Sequence, residues 1–324
     1  MIRRPRRLRT TPAMRRLVAE TRVHPAQLVL PVFVQDGISA PIAISSMPGV
    51  ERQTLDSLPA VLTAAAAAGL GGVMLFGVPR DEDKDASGSQ ALRADGILNR
   101  AVAIARQAAG GELLVMADTC LDEYTDHGHC GVLDASGRVD NDATVALYVE
   151  QAIGQAAAGA DVVSPSGMMD GQVAAIRDGL DGAGFAEVAI LAYAVKYASA
   201  FYGPFREAVA SSLQGDRRGY QQDPANRREG LLEAALDEAE GADLVMVKPA
   251  GYYLDVVAEV AAQSSVPVAA YQVSGEYAMI AAAAQRGWLD GPAALAESVT
   301  AIARAGADVI LTYAALDVAT RWHS

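Results

Sequence analysis

Three lysines, Lys84, Lys196 and Lys248, stand among 26 basic residues, and the rest are arginine. Two of the three close apolar stretches, Ala192-Tyr193-Ala194-Val195-Lys196 and Leu244-Val245-Met246-Val247-Lys248-Pro249. A chain that writes its surface charge as arginine and still ends two such stretches with lysine needs an amine there, because a guanidinium stays protonated and is no nucleophile. One lysine at such a place is more often snorkelling or salt-bridged. Two, at the ends of consecutive strands, favour catalysis. Desolvation and a second ammonium both disfavour protonation, so the pKa of at least one is expected to fall toward neutrality. A neutral amine attacks a ketone, and the protonated imine then acidifies the adjacent carbon, which suits carbon–carbon bond formation. Two candidates follow: an aldolase with one Schiff-base lysine, or an enzyme that condenses two ketones with two.

A second reactive group lies in Asp118-Thr119-Cys120-Leu121-Asp122-Glu123-Tyr124-Thr125-Asp126-His127-Gly128-His129-Cys130-Gly131, where both cysteines and two of the four histidines fall within eleven residues. In an extended segment Asp118, Cys120 and Asp122 share one face, and Cys130 returns to them across a glycine-containing turn. Thiolate with carboxylate suits zinc, and carboxylates alone suit magnesium. A disulfide or a plain polar loop are the competing readings, and the metal's identity stays open.

Eight apolar stretches must position these groups: Leu28 to Val34, Gly72 to Val78, Leu113 to Asp118, Asp161 to Pro165, Val188 to Lys196, Asp243 to Lys248, Val266 to Val273 and Asp308 to Tyr313. Alanine- and acid-rich helical segments, such as Ala143 to Ala158 and Asn226 to Glu240, alternate with them. Continuous apolar strands imply burial on both faces, and eight of them predict an α/β fold, a closed parallel (β/α)8 TIM barrel. Gly159-Ala160-Asp161, Gly241-Ala242-Asp243 and Gly306-Ala307-Asp308 recur just before strands, where glycine ends a helix. A doubly wound open sheet is the alternative, but no glycine-rich phosphate loop follows the first strand. Residues 1–24 read as an extended N-terminal arm and 25–324 as the barrel. Active sites of such barrels lie at the C-terminal strand ends, where Lys196 and Lys248 should be neighbours. The long irregular stretch Ser211 to Asn226 reads as an active-site lid or as a mobile surface insertion.

With 51% apolar residues among 324, the chain can bury one barrel core, and no apolar run is long enough to span a bilayer. Seven arginines crowd the first sixteen residues without an acid, yet the whole chain carries a net charge of −13, which sits poorly with nucleic-acid binding. Thr10, Thr11 and Pro12 stand where a signal peptide needs its apolar core. The arm is therefore expected to pack on an acidic neighbouring subunit. Two cysteines are too few for a secreted disulfide framework, and the expected setting is the cytoplasm.

At this point the chain resembles the porphobilinogen synthase (delta-aminolevulinic acid dehydratase) family, from the arm near Pro5-Arg6-Arg7 to Tyr313. Gly241-Ala242-Asp243-Leu244-Val245-Met246-Val247-Lys248-Pro249-Ala250 is similar to that family's Schiff-base signature. Further matches are Ser46-Met47-Pro48-Gly49-Val50, Leu75-Phe76-Gly77-Val78-Pro79, His127-Gly128-His129-Cys130-Gly131, Lys196-Tyr197-Ala198-Ser199, Phe201 to Arg206, Gly215-Asp216-Arg217-Arg218 and Tyr271 to Tyr277. The resemblance implies a hydro-lyase of haem biosynthesis that joins two 5-aminolevulinate molecules. Lys248 would hold the acetic-acid side and Lys196 the propionic-acid side. Arg206, Arg217 and Gln221 would bind one substrate carboxylate, and Ser274 with Tyr313 the other, which agrees with guanidinium forks and hydroxyls as carboxylate donors. Asp118 and Ser166 are counted among the substrate-facing residues. By the same resemblance Cys120, Asp122 and Cys130 would hold zinc, with Asp122 in place of the family's middle cysteine. Glu233 would match an allosteric magnesium site, and arm-embracing dimers would build an octamer.

Two positions depart from the family pattern: Gly167 stands for an aspartate and Ala194 for a serine. They motivate an alternative, a paralogue acting on a different amino ketone, beside a non-catalytic metal-binding or assembly homologue. If the missing carboxylate impairs the site, Gly167→Asp is expected to raise product formation.

Overall fold

The computed structural model describes residues 2–213 and 215–322. Among them ten strands form: β1 (Leu28–Gln35), β2 (Ile42–Ala43), β3 (Glu51–Gln53), β4 (Gly72–Val78), β5 (Leu114–Thr119), β6 (Val162–Pro165), β7 (Ala189–Lys196), β8 (Leu244–Lys248), β9 (Val268–Gln272) and β10 (Val309–Thr312). β1 and β4 to β10 pair in parallel in chain order, and β10 returns to β1 at Leu28↔Ile310, closing an eight-stranded barrel. The expected strands all form, with ends displaced by two residues at most. The largest displacement is at β9, where Pro267, which has no N–H to donate, sits before the paired segment. β2 and β3 were not expected: β3 adds beside the end of β1, and β2 pairs antiparallel to it.

The repeated Gly-Ala-Asp motif has two functions, only one of which was expected. Gly159, Gly241 and Gly306 take φ of +104°, +102° and +117°, ending their helices in the left-handed region. Each aspartate then clamps the preceding strand. Asp161 donates its N–H to Val115 O and accepts Val115 N at Oδ2, both at 2.9 Å. Asp243 does the same to Ile190, and Asp308 to Val268. Backbone groups at the start of three strands are thereby satisfied, and barrel register is fixed, at the end away from the lysines.

Ile2 to Arg22 contribute nothing buried, although Pro5–Arg9 forms a 3-10 turn and Pro12–Leu17 a short helix capped by Thr11. The core is entered at Val23. Among the described residues no helix is long and apolar enough to cross a membrane.

Candidate active site

Lys196 and Lys248 end adjacent strands and sit level with one another, each 5% exposed. The level placement depends on a bulge. β7 and β8 pair Ala192↔Val245 and then Val195↔Val247, so Tyr193 and Ala194 together face Met246. Lys248 Nζ lies among ring faces, 4.4 Å from the Tyr271 centroid, 5.0 Å from Tyr193, 5.2 Å from Phe205 and 5.5 Å from Tyr202. Rings favour a cation. Burial, together with the charge of Lys196, outweighs them and lowers the Lys248 amine to about 7. Lys196 Nζ instead donates to Ser166 O at 2.5 Å.

Asp118, at the end of β5, accepts a 3.2 Å hydrogen bond from Ser166 Oγ. Burial and the neighbouring Asp122 raise its carboxyl to about 6, against the pull of both lysines. Ligand atoms of Cys120, Asp122 and Cys130 lie within 4.8 Å of one another, as do those of Asp118, Cys120, Asp122 and Glu123, and all are buried. Arg217 donates to Asp122 Oδ2 at 2.7 Å and to Gly128 O at 2.9 Å. Burial alone would raise Asp122, but Arg217 and then Lys196 hold it well below the usual carboxylate range. Burial pushes the Cys120 thiol up; Cys130 is pushed the same way, but its hydrogen bond with Cys120 and the charge of Arg217 bring it to about 7. Asp118 Oδ1 and Glu123 Oε1 are buried without a hydrogen-bond partner among the described residues. So many buried acids and thiols around one guanidinium fit a divalent cation, and the mixed sulfur and oxygen donors suit zinc.

Tyr148 completes this cluster. Fully buried, it directs its hydroxyl to Cys130 O at 2.5 Å and lies 3.6 Å from Cys120 Sγ. Its ring end occupies the space beside Gly167. A Cβ at 167 would fall inside the Tyr148 hydroxyl, 2.6 Å from Cζ and 2.7 Å from Cε2. Gly167 is thus the partner of a tyrosine and not merely a missing carboxylate. Ala194, the other departure, is buried within the β7 bulge.

A cavity of about 330 Å³ opens over the lysines, lined also by Phe205, Arg206, Arg217 and Gln221. Between Ala208 and Arg227 the described residues form neither helix nor strand, and this irregular segment covers the cavity. It is fastened to the cysteine loop by Arg217 and by Tyr220, whose hydroxyl accepts from Cys130 N at 3.3 Å and meets His129 Nδ1 at 3.1 Å. Ser274 and Tyr313 are not among the cavity-lining residues. Ser274 Oγ accepts from Phe205 N at 3.0 Å, and Tyr313 OH meets Tyr271 OH at 3.1 Å, so each is bonded to a residue of the Lys248 box, Ser274 through backbone and Tyr313 through a phenol. Glu233 does not line the cavity over the lysines but is half-buried in an adjoining hollow with Asp170 and Glu229, cavity and hollow sharing Asp216, Arg218 and Gln221 as a wall; burial and those two acids raise its carboxyl.

Residues 2–321 match the family model described as delta-aminolevulinic acid dehydratase. The chain belongs to that family. Relatives of that name include the protein of Mycobacterium tuberculosis (strain H37Rv), 67% identical over 98% of this chain and 96% of its own length. The Escherichia coli (strain K12) protein is 51% identical over 99% and 98%. Among solved structures, the dehydratase (porphobilinogen synthase) of Toxoplasma gondii ME49, in complex with the reaction product porphobilinogen, superposes with a TM-score of 0.96 at 44% identity, covering 99% of this chain and 92% of that one.

Within this dehydratase fold, sequence reasoning missed Tyr148, Glu123 and the rings around Lys248. Glu123 adjoined the quoted ligands, and its burial was the missing information. Tyr148 had no local signal, because it sits in an alanine-rich helix (Asn141–Ala158) whose contact with Gly167 is long-range.

Proposed function

We propose that this chain acts as a porphobilinogen synthase: two 5-aminolevulinate molecules enter, and one porphobilinogen and two waters leave. One observation carries the reading: two buried amines stand level on adjacent strands, and one is held near neutrality. The Lys248 amine adds to the ketone of one substrate, and loss of water gives an imine whose adjacent carbon yields its proton readily. Lys196 binds the second substrate in the same way. Rings around Lys248 exclude water, which keeps the amine neutral and protects the imine from hydrolysis. Asp118, raised to about 6, would accept and return protons during the condensation. Arg206, Arg217 and Gln221 line the cavity and would donate to one substrate carboxylate, and Ser274 with Tyr313, which lie behind the Lys248 rings, would turn their hydroxyls to the other.

Cys120, Asp122 and Cys130 would hold zinc, which supplies Lewis-acid polarisation of a substrate heteroatom when bound. Glu233, with Asp170 and Glu229 in its hollow, is the proposed magnesium position. Ile2 to Arg22 of the arginine-bearing arm bury nothing against the barrel, which suits an acidic neighbouring copy and is in keeping with an octamer built from dimers. Free cysteines suit the cytoplasm. The seating of Tyr148 beside Gly167 explains one departure without a change of substrate. The test is incubation of the zinc-supplied protein with 5-aminolevulinate and assay for the pyrrole. Folded protein that forms none overturns the reading.

A further inference from the structure

The rarity that singles out Lys196 and Lys248 applies equally to the third lysine, which the activity leaves unused. We propose that Lys84 is a positioning residue that fixes the hinge of the lid; the inference rests on reading residues 211–226 as that lid. The Lys84 side chain is only 3% exposed, while its ion-pair partner Asp81, 2.8 Å away, is 82% exposed. Its Nζ donates to Ala210 O at 2.7 Å.

Ala210 lies two residues beyond the helix that ends at Ala208 and directly precedes the lid. It holds φ of +48°, a left-handed conformation that an alanine adopts only where its surroundings over-determine it. Backbone bonds Ala210 N→Glu207 O (3.1 Å) and Ser211 N→Arg206 O (2.9 Å) close the turn from behind, and the ammonium holds the carbonyl from the front. A compact ammonium on a slender stem can serve one carbonyl and one carboxylate inside a closed slot, whereas a planar guanidinium fork cannot, which accounts for lysine in an arginine-writing chain.

The other side of Lys84 leads to the cysteine loop. Asp85 N donates to Tyr124 O at 3.3 Å, and Asp126 N to Asp85 O at 3.1 Å. Lys84 therefore ties the hinge at Ala210 to the loop that carries Asp122 and Cys130, so that Arg217 and Gln221 come down over the lysines.

The experiment compares the parent with Lys84→Met, Lys84→Arg and Asp81→Asn, each checked for a cooperative melt. Trypsin cleavage after Arg218 is followed by mass spectrometry without substrate, and KM and kcat are measured separately. Loss of one charge-assisted bond at a hinge corresponds to roughly a tenfold or greater increase in opening. Lys84→Met is expected to be cut faster by about that factor and to raise KM similarly, with kcat changed by less than about twofold. Lys84→Arg, whose guanidinium fork does not fit the slot, is expected to behave like Lys84→Met, and Asp81→Asn, which leaves the carbonyl bond intact, matches the parent. If Lys84→Met does not melt cooperatively, Lys84→Gln is read in its place. A folded variant with parental cleavage and KM overturns the assignment. The lid reading fails separately if saturating porphobilinogen does not slow cleavage in the parent.

Discussion

Gly167→Asp tests how the cysteine cluster is built, and the structure reverses what the sequence suggests for it. The family carboxylate cannot be restored by itself, because the first added carbon already meets the Tyr148 ring end at 2.6 and 2.7 Å, about 1 Å inside an ordinary carbon contact of roughly 3.5–4.0 Å. Tyr148 is fully buried and its hydroxyl is committed to Cys130 O, so it has no free direction in which to yield. Overpacking of this kind costs about 1–3 kcal/mol, and a buried hydrogen bond lost at the same time about 1–3 kcal/mol more. The expected total, about 2–6 kcal/mol, is a large part of the roughly 5–15 kcal/mol that holds a typical domain together. Gly167→Ala should already show much of it, since the Cβ alone makes the clash.

The assay is urea denaturation followed by circular dichroism at fixed protein concentration, beside pyrrole formation from 5-aminolevulinate. Both single variants are expected to lower the midpoint and the activity. Tyr148→Ala alone leaves a cavity at a cost of about 3–5 kcal/mol, and combining it with Gly167→Ala should cost less than the sum, because the clash is then gone. A parental midpoint for Gly167→Ala, additive costs in the double variant, or higher turnover for Gly167→Asp would each refute the steric pairing.

Lys248→Arg keeps the charge and removes the nucleophile, so turnover should vanish together with the borohydride-trapped adduct on the peptide that carries position 248; an active variant sinks the imine assignment. With the Lys248 amine at about 7, the neutral fraction rises as pH rises through that value, so trapping at Lys248 should be several-fold faster at pH 8 than at pH 6; a flat profile contradicts the buried, ring-lined site. Chelation should lower activity, and the Cys120→Ala, Cys130→Ala double variant should lose zinc binding measured with a metallochromic indicator. Full metal-free activity of that variant would exclude an essential ion at the cluster.

The strands were legible because a parallel barrel buries both faces of each strand, which leaves unbroken apolar runs such as Gly72 to Val78, all seven residues buried. Lysine rarity and the crowding of cysteines also survive in one dimension. What did not survive are contacts that join distant parts of the chain. Arg217 was expected at a substrate carboxylate; it lines the cavity but also holds Asp122, a pairing across 95 positions that spacing cannot announce. Lys84 is as rare as the other two lysines but ends no strand, so nothing in the sequence places it beside them. Its partner, the Ala210 carbonyl, lies 126 positions away.

The bulge in β7 is the most consequential feature that alternation could not give. Had Ala192↔Val245 continued regularly, Val195 would stand opposite Lys248 and Lys196 opposite Pro249. One residue along a strand is about 3.3 Å, as large as the roughly 3–3.5 Å separation that two reacting atoms need before a bond forms. Substrates held as imines on lysines offset by that amount would have to make up the difference by strain. The extra residue at Tyr193-Ala194 removes the offset in the backbone, before any substrate binds, and brings Tyr193 near both amines, 5.0 Å from Lys248 Nζ and 5.6 Å from Lys196 Nζ. A small residue at 194 is consistent with this packing, since that position is buried inside the bulge. Level lysines and a shared aromatic wall therefore have one cause, an irregularity of a single residue at the second and third positions before Lys196 relative to the strand beside it.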